Sequence, residues 1–252
     1  LKRQRTQVIG ILLPDIANPF SAQLVSGIQD ILLARGYGAF LCTSERSTER
    51  EQAGLSALFD HRVDGIIVAT RETPTGNEWL SRLVERNLPI VLVGREFRHP
   101  QVDRVTADHR TGGYEATKYL LSAGHRRIGF LGVSPGTGAG LRRFQGYRAA
   151  LRDHGLSIEE DLVVGPDAVS GPGYSTQDDG HQGMKRLLSL RKPPTAVFAR
   201  NDFTAIGAMC ALHDAGLAVP EDVSIVGFDN VDRKSTRLNS SHSSVSRMPS
   251  SA

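Results

Sequence analysis

Apolar positions fall along the chain in two alternating patterns: short continuous runs, and stretches in which they recur at helical spacing. Gln7–Leu13 is a run of Val, Ile and Leu of the kind a strand buried on both faces requires, and it ends at Pro14-Asp15. Asn18-Pro19 then offers a helix start, with Asn as N-cap and Pro in the first helical position. Phe20, Leu24, Ile28, Ile31 and Leu32 follow on one helical stripe, and Gly36 can close the helix in a left-handed conformation. A second strand is expected over Ala39–Thr43. Thr48-x-x-Glu51 reads as a capping box that opens a helix running to about His61. A third strand over Val63–Ala69, a helix over Trp79–Arg86 and a fourth strand over Pro89–Val93 complete the series. Strands alternating with helices of this length predict parallel pairing and an α/β sheet.

The arrangement then begins again. Ile9-Gly10 and Ile128-Gly129 each start a strand, and the interval from Ile9 to Gly27 equals that from Ile128 to Gly146. The next intervals also match, from Gly27 to Gly36 and from Gly146 to Gly155, closing the helices of Ala34-Arg35-Gly36-Tyr37 and Asp153-His154-Gly155-Leu156. Thr195–Ala199 answers Gly65–Ala69, and Val223–Phe228 answers Pro89–Gly94. Agreement of strand, glycine and helix end together marks two structural repeats of about 120 residues. The expected fold is therefore two similar doubly wound parallel-sheet lobes. Open α/β sheets bind ligands beyond the carboxyl ends of their strands, which predicts a small-molecule cleft between the lobes.

Composition changes this picture only slightly. Apolar residues make up 39% and charged residues 23%, as in a soluble globular protein, and no apolar run approaches the roughly 20 residues a bilayer span needs. The net charge of +3 suggests nucleic acid, but Arg233, Lys234, Arg237 and Arg247 lie in the segment 233–252, which holds no acid. Without those four, the remaining basic side chains are one fewer than the acidic ones, so residues 1–232 carry no basic footprint for DNA. Cys42 and Cys210 sit far apart in apolar segments and read as reduced, buried thiols of a cytoplasmic protein. The eight histidines show no metal-ligand spacing, and neither a metal nor a cofactor is expected.

Gly132-Val133-Ser134-Pro135-Gly136 matches the G-x-S-x-G nucleophile elbow in letters. Its oxyanion hole needs the backbone N–H after the serine, and Pro135 has none. Gly136-Thr137-Gly138-Ala139-Gly140 lacks the third glycine of a dinucleotide loop and is followed by no P-loop lysine. No enzyme activity is expected. More useful are the polar groups after the strands: Asp15 and Asn18, Arg95, Arg142 and Arg143, Asn201-Asp202, and Asp229-Asn230. Carboxylates and guanidinium forks bind sugar hydroxyls, and Phe20 could lie against a sugar ring. Asx residues also cap helices, and Asp202 fits either role.

These residues carry a resemblance. Val8-Ile9-Gly10-Ile11-Leu12-Leu13-Pro14-Asp15, closed by Asn18-Pro19-Phe20, looks like the opening of the effector-binding core of a LacI/GalR transcription repressor. Arg62–Ile67, Gly124-His125-Arg126-Arg127-Ile128-Gly129, Arg200-Asn201-Asp202, Pro220–Ser224 and Val226-Gly227-Phe228-Asp229 match the family in order and spacing, over about residues 6–231. The strand opening is shared with periplasmic sugar receptors of transport systems, the competing reading; the Gly-His-Arg-Arg-Ile block favours the repressors.

The resemblance implies a periplasmic-binding-protein-like fold of type I acting as a cytoplasmic homodimer. Its partners would be a small effector, a sugar or sugar derivative, and operator DNA reached only through a helix-turn-helix domain placed before Leu1. It implies ligand contacts at Phe20 and Ser21 in the first loop, Arg95 after the fourth strand and Asp108 before the next helix. Arg143 would grip the effector, and Asp202 and Asp229 would take polyol positions with Asn201 beside them. Residues 1–6 then read as a linker remnant, 7–124 as an incomplete N-terminal lobe, 125–231 as the C-terminal lobe, and 232–252 as a disordered, artefactual tail. Serine dominates the segment 233–252, and no element period survives there. A chain ended this way is expected to expose an apolar edge and to be of low stability.

Overall fold

The computed structural model describes residues 5–45, 47–70, 74–95, 97–133, 138–165 and 176–231. The serine-rich tail and Ser134, Pro135 and Gly136 of the G-x-S-x-G motif lie outside the described residues. The chain divides into two compact units between Ala107 and Asp108.

The first unit is a parallel five-stranded sheet in the order β2-β1-β3-β4-β5. Its strands are β1 (Val8–Leu13), β2 (Gly38–Thr43), β3 (Gly65–Val68), β4 (Ile90–Val93) and β5 (Val102–Val105). Its helices are α1 (Pro19–Ala34), α2 (Thr48–Asp60) and α3 (Pro74–Glu85). Asn18 caps α1, its side chain accepting from the Phe20 N–H at 3.0 Å, and Gly36 closes the helix at φ +73°.

Helix α2 departs from the expected capping box. Ser47 is the N-cap and accepts from the Arg50 N–H, which makes Thr48 the first helical residue. Glu51, released from capping, turns inward and is buried. The core of this unit joins Leu12, Ile66, Val68, Ile90 and Leu92 of the sheet to Leu55 and Leu58 of α2 and Leu80 and Leu83 of α3. Helix α1 contributes almost nothing to it: Ser21 is its sole buried residue.

The second unit repeats the order. Strands β6 (Ile128–Leu131), β7 (Val163–Val164), β8 (Ala196–Ala199) and β9 (Ser224–Val226) form a parallel sheet ordered β7-β6-β8-β9, the counterpart of β2-β1-β3-β4. The internal repeat is thus present in the topology. It extends to packing: a Cβ on Gly10 of β1 would lie 2.9 Å from Leu58, and one on Gly129 of β6 would lie 2.9 Å from Leu187. In both sheets the first strand gives up a side chain to seat a leucine from a covering helix.

Four helices cover this sheet: α4 (His109–Ser122), α5 (Gly138–Asp153), α6 (Gln177–Leu188) and α7 (Asp202–Asp214). Helices α6 and α7 cover one apolar cluster around Leu131, Met184, Leu187, Val197 and Leu212. Helices α4 and α5 cover the other, around Phe130, Tyr147, Leu151 and Phe198. The unit boundary therefore lies before α4, not after Gly124 where the sequence places it: Ala116, Leu120 and Leu121 of α4 are buried among the core residues of the second sheet.

Candidate functional site

Helix α5 starts after β6 and brings Arg143 back over the ends of β8 and β9. The side chain is buried, 8% exposed. Its Nη1 donates to the Arg200 carbonyl at 2.6 Å, and its Nη2 lies 3.4 Å from Asp229 Oδ1. Its Nε approaches His109 Nδ1 at 3.4 Å, and the guanidinium carbon stands 3.6 Å from the centre of the Phe228 ring. One cation thus ties α4, α5 and the ends of β8 and β9, with a ring face beneath it.

Asp229 is held on a shaped loop. Asp202 Oδ1 accepts from the Phe228 N–H at 2.9 Å and its Oδ2 from the Val231 N–H at 2.7 Å, so one carboxylate straddles Asp229. A Cβ on Gly227 would fall 2.0 Å from Asp202 Oδ1, so a glycine is required where the carboxylate reaches the backbone. Asn201, not Asp202, caps α7: its Oδ1 accepts from the Thr204 N–H at 2.9 Å and from the Thr204 hydroxyl at 2.7 Å. Asp202 is therefore not the helix cap, and both its carboxylate oxygens tie the loop.

Burial works against both charges of the central pair. It pushes the Asp229 carboxyl above the usual carboxylate range, with the charge of Asp202 adding to the rise while Arg143 and Arg200 oppose it. It also pulls Arg143 below its ordinary value, against the attraction of Asp229 and Asp202. A guanidinium and a carboxylate buried together at 3.4 Å, beyond a good charge-assisted bond, hold unused hydrogen-bonding capacity. Polar hydroxyls placed against them would relieve that cost.

The remaining expected site residues lie elsewhere. Asp108 is the exposed N-cap of α4, bonded to the Thr111 N–H at 3.0 Å and the Thr111 hydroxyl at 2.8 Å, and these bonds hold its carboxyl below the usual range. It stands one residue from His109 and does not contact Arg143 in the hydrogen-bond pattern. In the first unit, Phe20 is 41% exposed in the first turn of α1, while Ser21 beside it is buried. Arg95 is fully buried and committed inside its own unit: Nη1 donates to Glu51 Oε1 at 2.8 Å and Thr70 Oγ1 at 2.9 Å, and Nη2 to Asn77 Oδ1 at 3.0 Å. Those bonds pin α2 and α3 to the ends of β3 and β4.

Two residues at the Arg143 cluster escaped the sequence reading, His109 and Arg200. His109 offers no motif, only its place after a capping Asp. Arg200 supplies the carbonyl that Arg143 bonds, and its side chain fills the space left by Gly132 and Gly140, whose Cβ atoms would lie 2.9 Å from it. Among the described residues no group of three or more His, Cys, Asp or Glu is placed to hold a metal ion. Nor is any described helix long and apolar enough to cross a membrane.

With the geometry in place, known proteins are informative. Residues 6–250 match the family of periplasmic binding proteins and the sugar-binding domain of the LacI family. An HTH-type transcriptional repressor, PurR, of Histophilus somni is 31% identical over 98% of this chain and 73% of its own length. The solved transcription regulator CcpA of Lactococcus lactis superposes with a TM-score of 0.77 at 27% identity, covering 90% of this chain and 80% of that one. A transcriptional regulator CelR in complex with cellobiose gives 0.76 at 31% identity, covering 92% and 70%.

Proposed function

Because the chain belongs to the family of periplasmic binding proteins and LacI-type sugar-binding domains, as an effector-binding core of its transcriptional repressors, we propose that it recognises a sugar or sugar derivative through Arg143 and Asp229. The repressor assignment is favoured over a transport receptor because the relatives and structural neighbours are transcriptional regulators.

The observation that carries the ligand assignment is the Arg143–Asp229 pair: buried, 3.4 Å apart, set on a loop tied by Asp202, with the Phe228 ring against the guanidinium. A vicinal diol matches it, one hydroxyl donating to the carboxylate while another accepts from the guanidinium. Asp202 and Asn201 position the loop and the start of α7. Arg95 acts in the first unit as a positioning residue, since each Nη that would meet a ligand is already bonded within the protein. Phe20 retains the exposed ring that a sugar face would use. Asp108 acts through the start of α4, which carries His109.

The protein works as a cytoplasmic homodimer whose operator contact belongs to a helix-turn-helix domain outside the described residues. The near balance of charge over residues 1–232 supports that division of labour. The effector acts by binding one repressor state better than the other, which shifts their populations. The cellobiose complex of a relative makes a sugar panel the first choice of ligands. Calorimetric titration of the panel against the native chain and Arg143→Ala tests the assignment. Loss of one buried partner leaves Asp229 uncompensated, so binding should weaken by about 2–5 kcal/mol while subunit association, read by sedimentation, stays the same. Unchanged affinity in the variant would remove Arg143 from the site.

A further inference from the structure

Away from the Arg143 cluster, the second unit carries an open surface cavity of about 560 Å³ on the outer side of α5. Arg110, Arg148 and Arg152 line it, with Gln145, and Leu156 and Ile158 form an apolar wall. Among the described residues no acidic side chain lines it, and each of the polar side chains named can donate a hydrogen bond. Positive and negative side chains nearly balance over residues 1–232, so this concentration of one sign is a local feature and not a consequence of composition.

The backbone fixes how the arginines are brought together. Helices α4 and α5 meet with no side chain between them: a Cβ on Gly146 would lie 2.2 Å from the Arg110 carbonyl oxygen, and one on Gly113 would lie 2.2 Å from that of Arg143. This glycine seam places Arg110 in the first turn of α4 beside the α5 face that carries Arg148 and Arg152. Those two are four residues apart on one helix, a like-charged arrangement that destabilises a helix unless a counter-charge sits between them. Of the three arginines, only Arg152 has an ion pair within the described residues, to its neighbour Asp153 at 3.5 Å, and both partners are exposed.

We infer that this cavity is a second binding site, for a small organic phosphate, formed by Arg110, Arg148 and Arg152 and separate from the Arg143–Asp229 pair. Guanidinium groups bind phosphate oxygens in bidentate fashion, and the volume lies within the range of small-molecule sites. The apolar wall would take the unphosphorylated part of the ligand. Because none of the cavity's residues belongs to the proposed sugar site, the two assignments can fail independently.

The test is calorimetric titration of the full chain with pyrophosphate at low salt. Saturable binding of one pyrophosphate per chain is expected, weakening as salt is raised. In the double variant Arg148→Glu, Arg152→Glu it should fall by about tenfold or more, whereas Arg143→Ala should leave it in place. Both side chains are on the surface, and an unchanged melting temperature would show that the double variant is folded. Absence of saturable binding, loss in Arg143→Ala, or equal binding in the double variant would overturn the proposal. Stronger capture of polyglutamate than of pyrophosphate would also overturn it, by pointing to an acidic protein segment as the occupant.

Discussion

The two units share a strand order, yet the helix after the first strand lives in different surroundings in each. Gly27 in α1 and Gly146 in α5 are equivalent by position in the repeat. A Cβ on Gly27 would meet nothing within 4 Å, while one on Gly146 would strike the backbone of α4. Helix α5 buries Arg143, Tyr147, Ala150 and Leu151 against α4 and the sheet. Helix α1 buries only Ser21 and leaves Ile31 at 54% and Leu33 at 73% exposed. The same local pattern therefore yields a packed helix where a second helix lies over it, and a loosely held one where none does. Burial, not helix propensity, separates them. The exposed apolar stripe of α1 is continued by Phe40 and Leu41 on the edge strand β2.

The sharpest way to break this comparison is to place a side chain at each of the two glycines. Gly146→Val should cost about 4 kcal/mol or more, because neither helix backbone can move away without opening the Phe130 cluster. Urea denaturation of the variant should show the second unit unfolded or grossly destabilised. A loss below about 1 kcal/mol would mean that the seam is not close-packed. The ion pair of the first unit comes next. Arg95→Ala leaves Glu51 buried and uncompensated, which should cost about 3–5 kcal/mol in the same assay. Replacing both, Arg95→Met with Glu51→Leu, should recover most of that loss, and failure to recover would assign the cost to the Thr70 and Asn77 bonds instead. Gly27→Ala has the opposite sign: an exposed helix interior should gain about 0.5–1 kcal/mol.

Much of this was legible because parallel strands buried on two faces announce themselves as apolar runs. Strands β1, β2, β3, β4, β6, β8 and β9 all fall within or against the expected segments. The strands that escaped lack that signal. In β5, Val-Asp-Arg-Val buries only Val102, and β7 is two residues long. Helix α4 was implied only by the resemblance, and its allegiance was not legible, since local pattern cannot say which sheet an amphipathic helix covers. The capping box failed for a related reason: Ser47 competes with Thr48 as cap, and Arg95, far along the chain from Glu51, draws that carboxylate inward. At the site, Arg143, Asp202 and Asp229 lie together in the second unit, at positions the resemblance implied. The spacing gave no sign that Asp202 would tie a loop or that His109 would face Arg143. Those details depend on how close two backbones come, and Gly113, Gly146 and Gly227 control that distance from far along the chain.

The smallest predicted effect concerns how each unit clasps the start of its first strand. In the first unit, the Thr6 and Gln7 N–H groups donate to the Asp64 carboxylate at 3.0 Å, just before β3. At the matching place in the second unit, His125 Nδ1 meets Thr195 Oγ1 at 2.9 Å and Nε2 meets Ser224 Oγ at 3.1 Å. Partial burial lowers the His125 pKa below its ordinary value near 6.5. The folded chain therefore prefers the neutral ring, and the stability it contributes is complete above about pH 6.5. As pH falls through that value the unfolded chain takes up the proton first, and the contribution is lost until the folded ring also titrates. Because the ring is only partly buried, the loss should stay well under about 1 kcal/mol. It should appear as a shallow fall in the urea midpoint of the second unit between about pH 7 and 5. His125→Thr, which copies the residue of the first unit, should flatten that slope at little cost at neutral pH. A slope that survives the substitution would assign the acid sensitivity to another group.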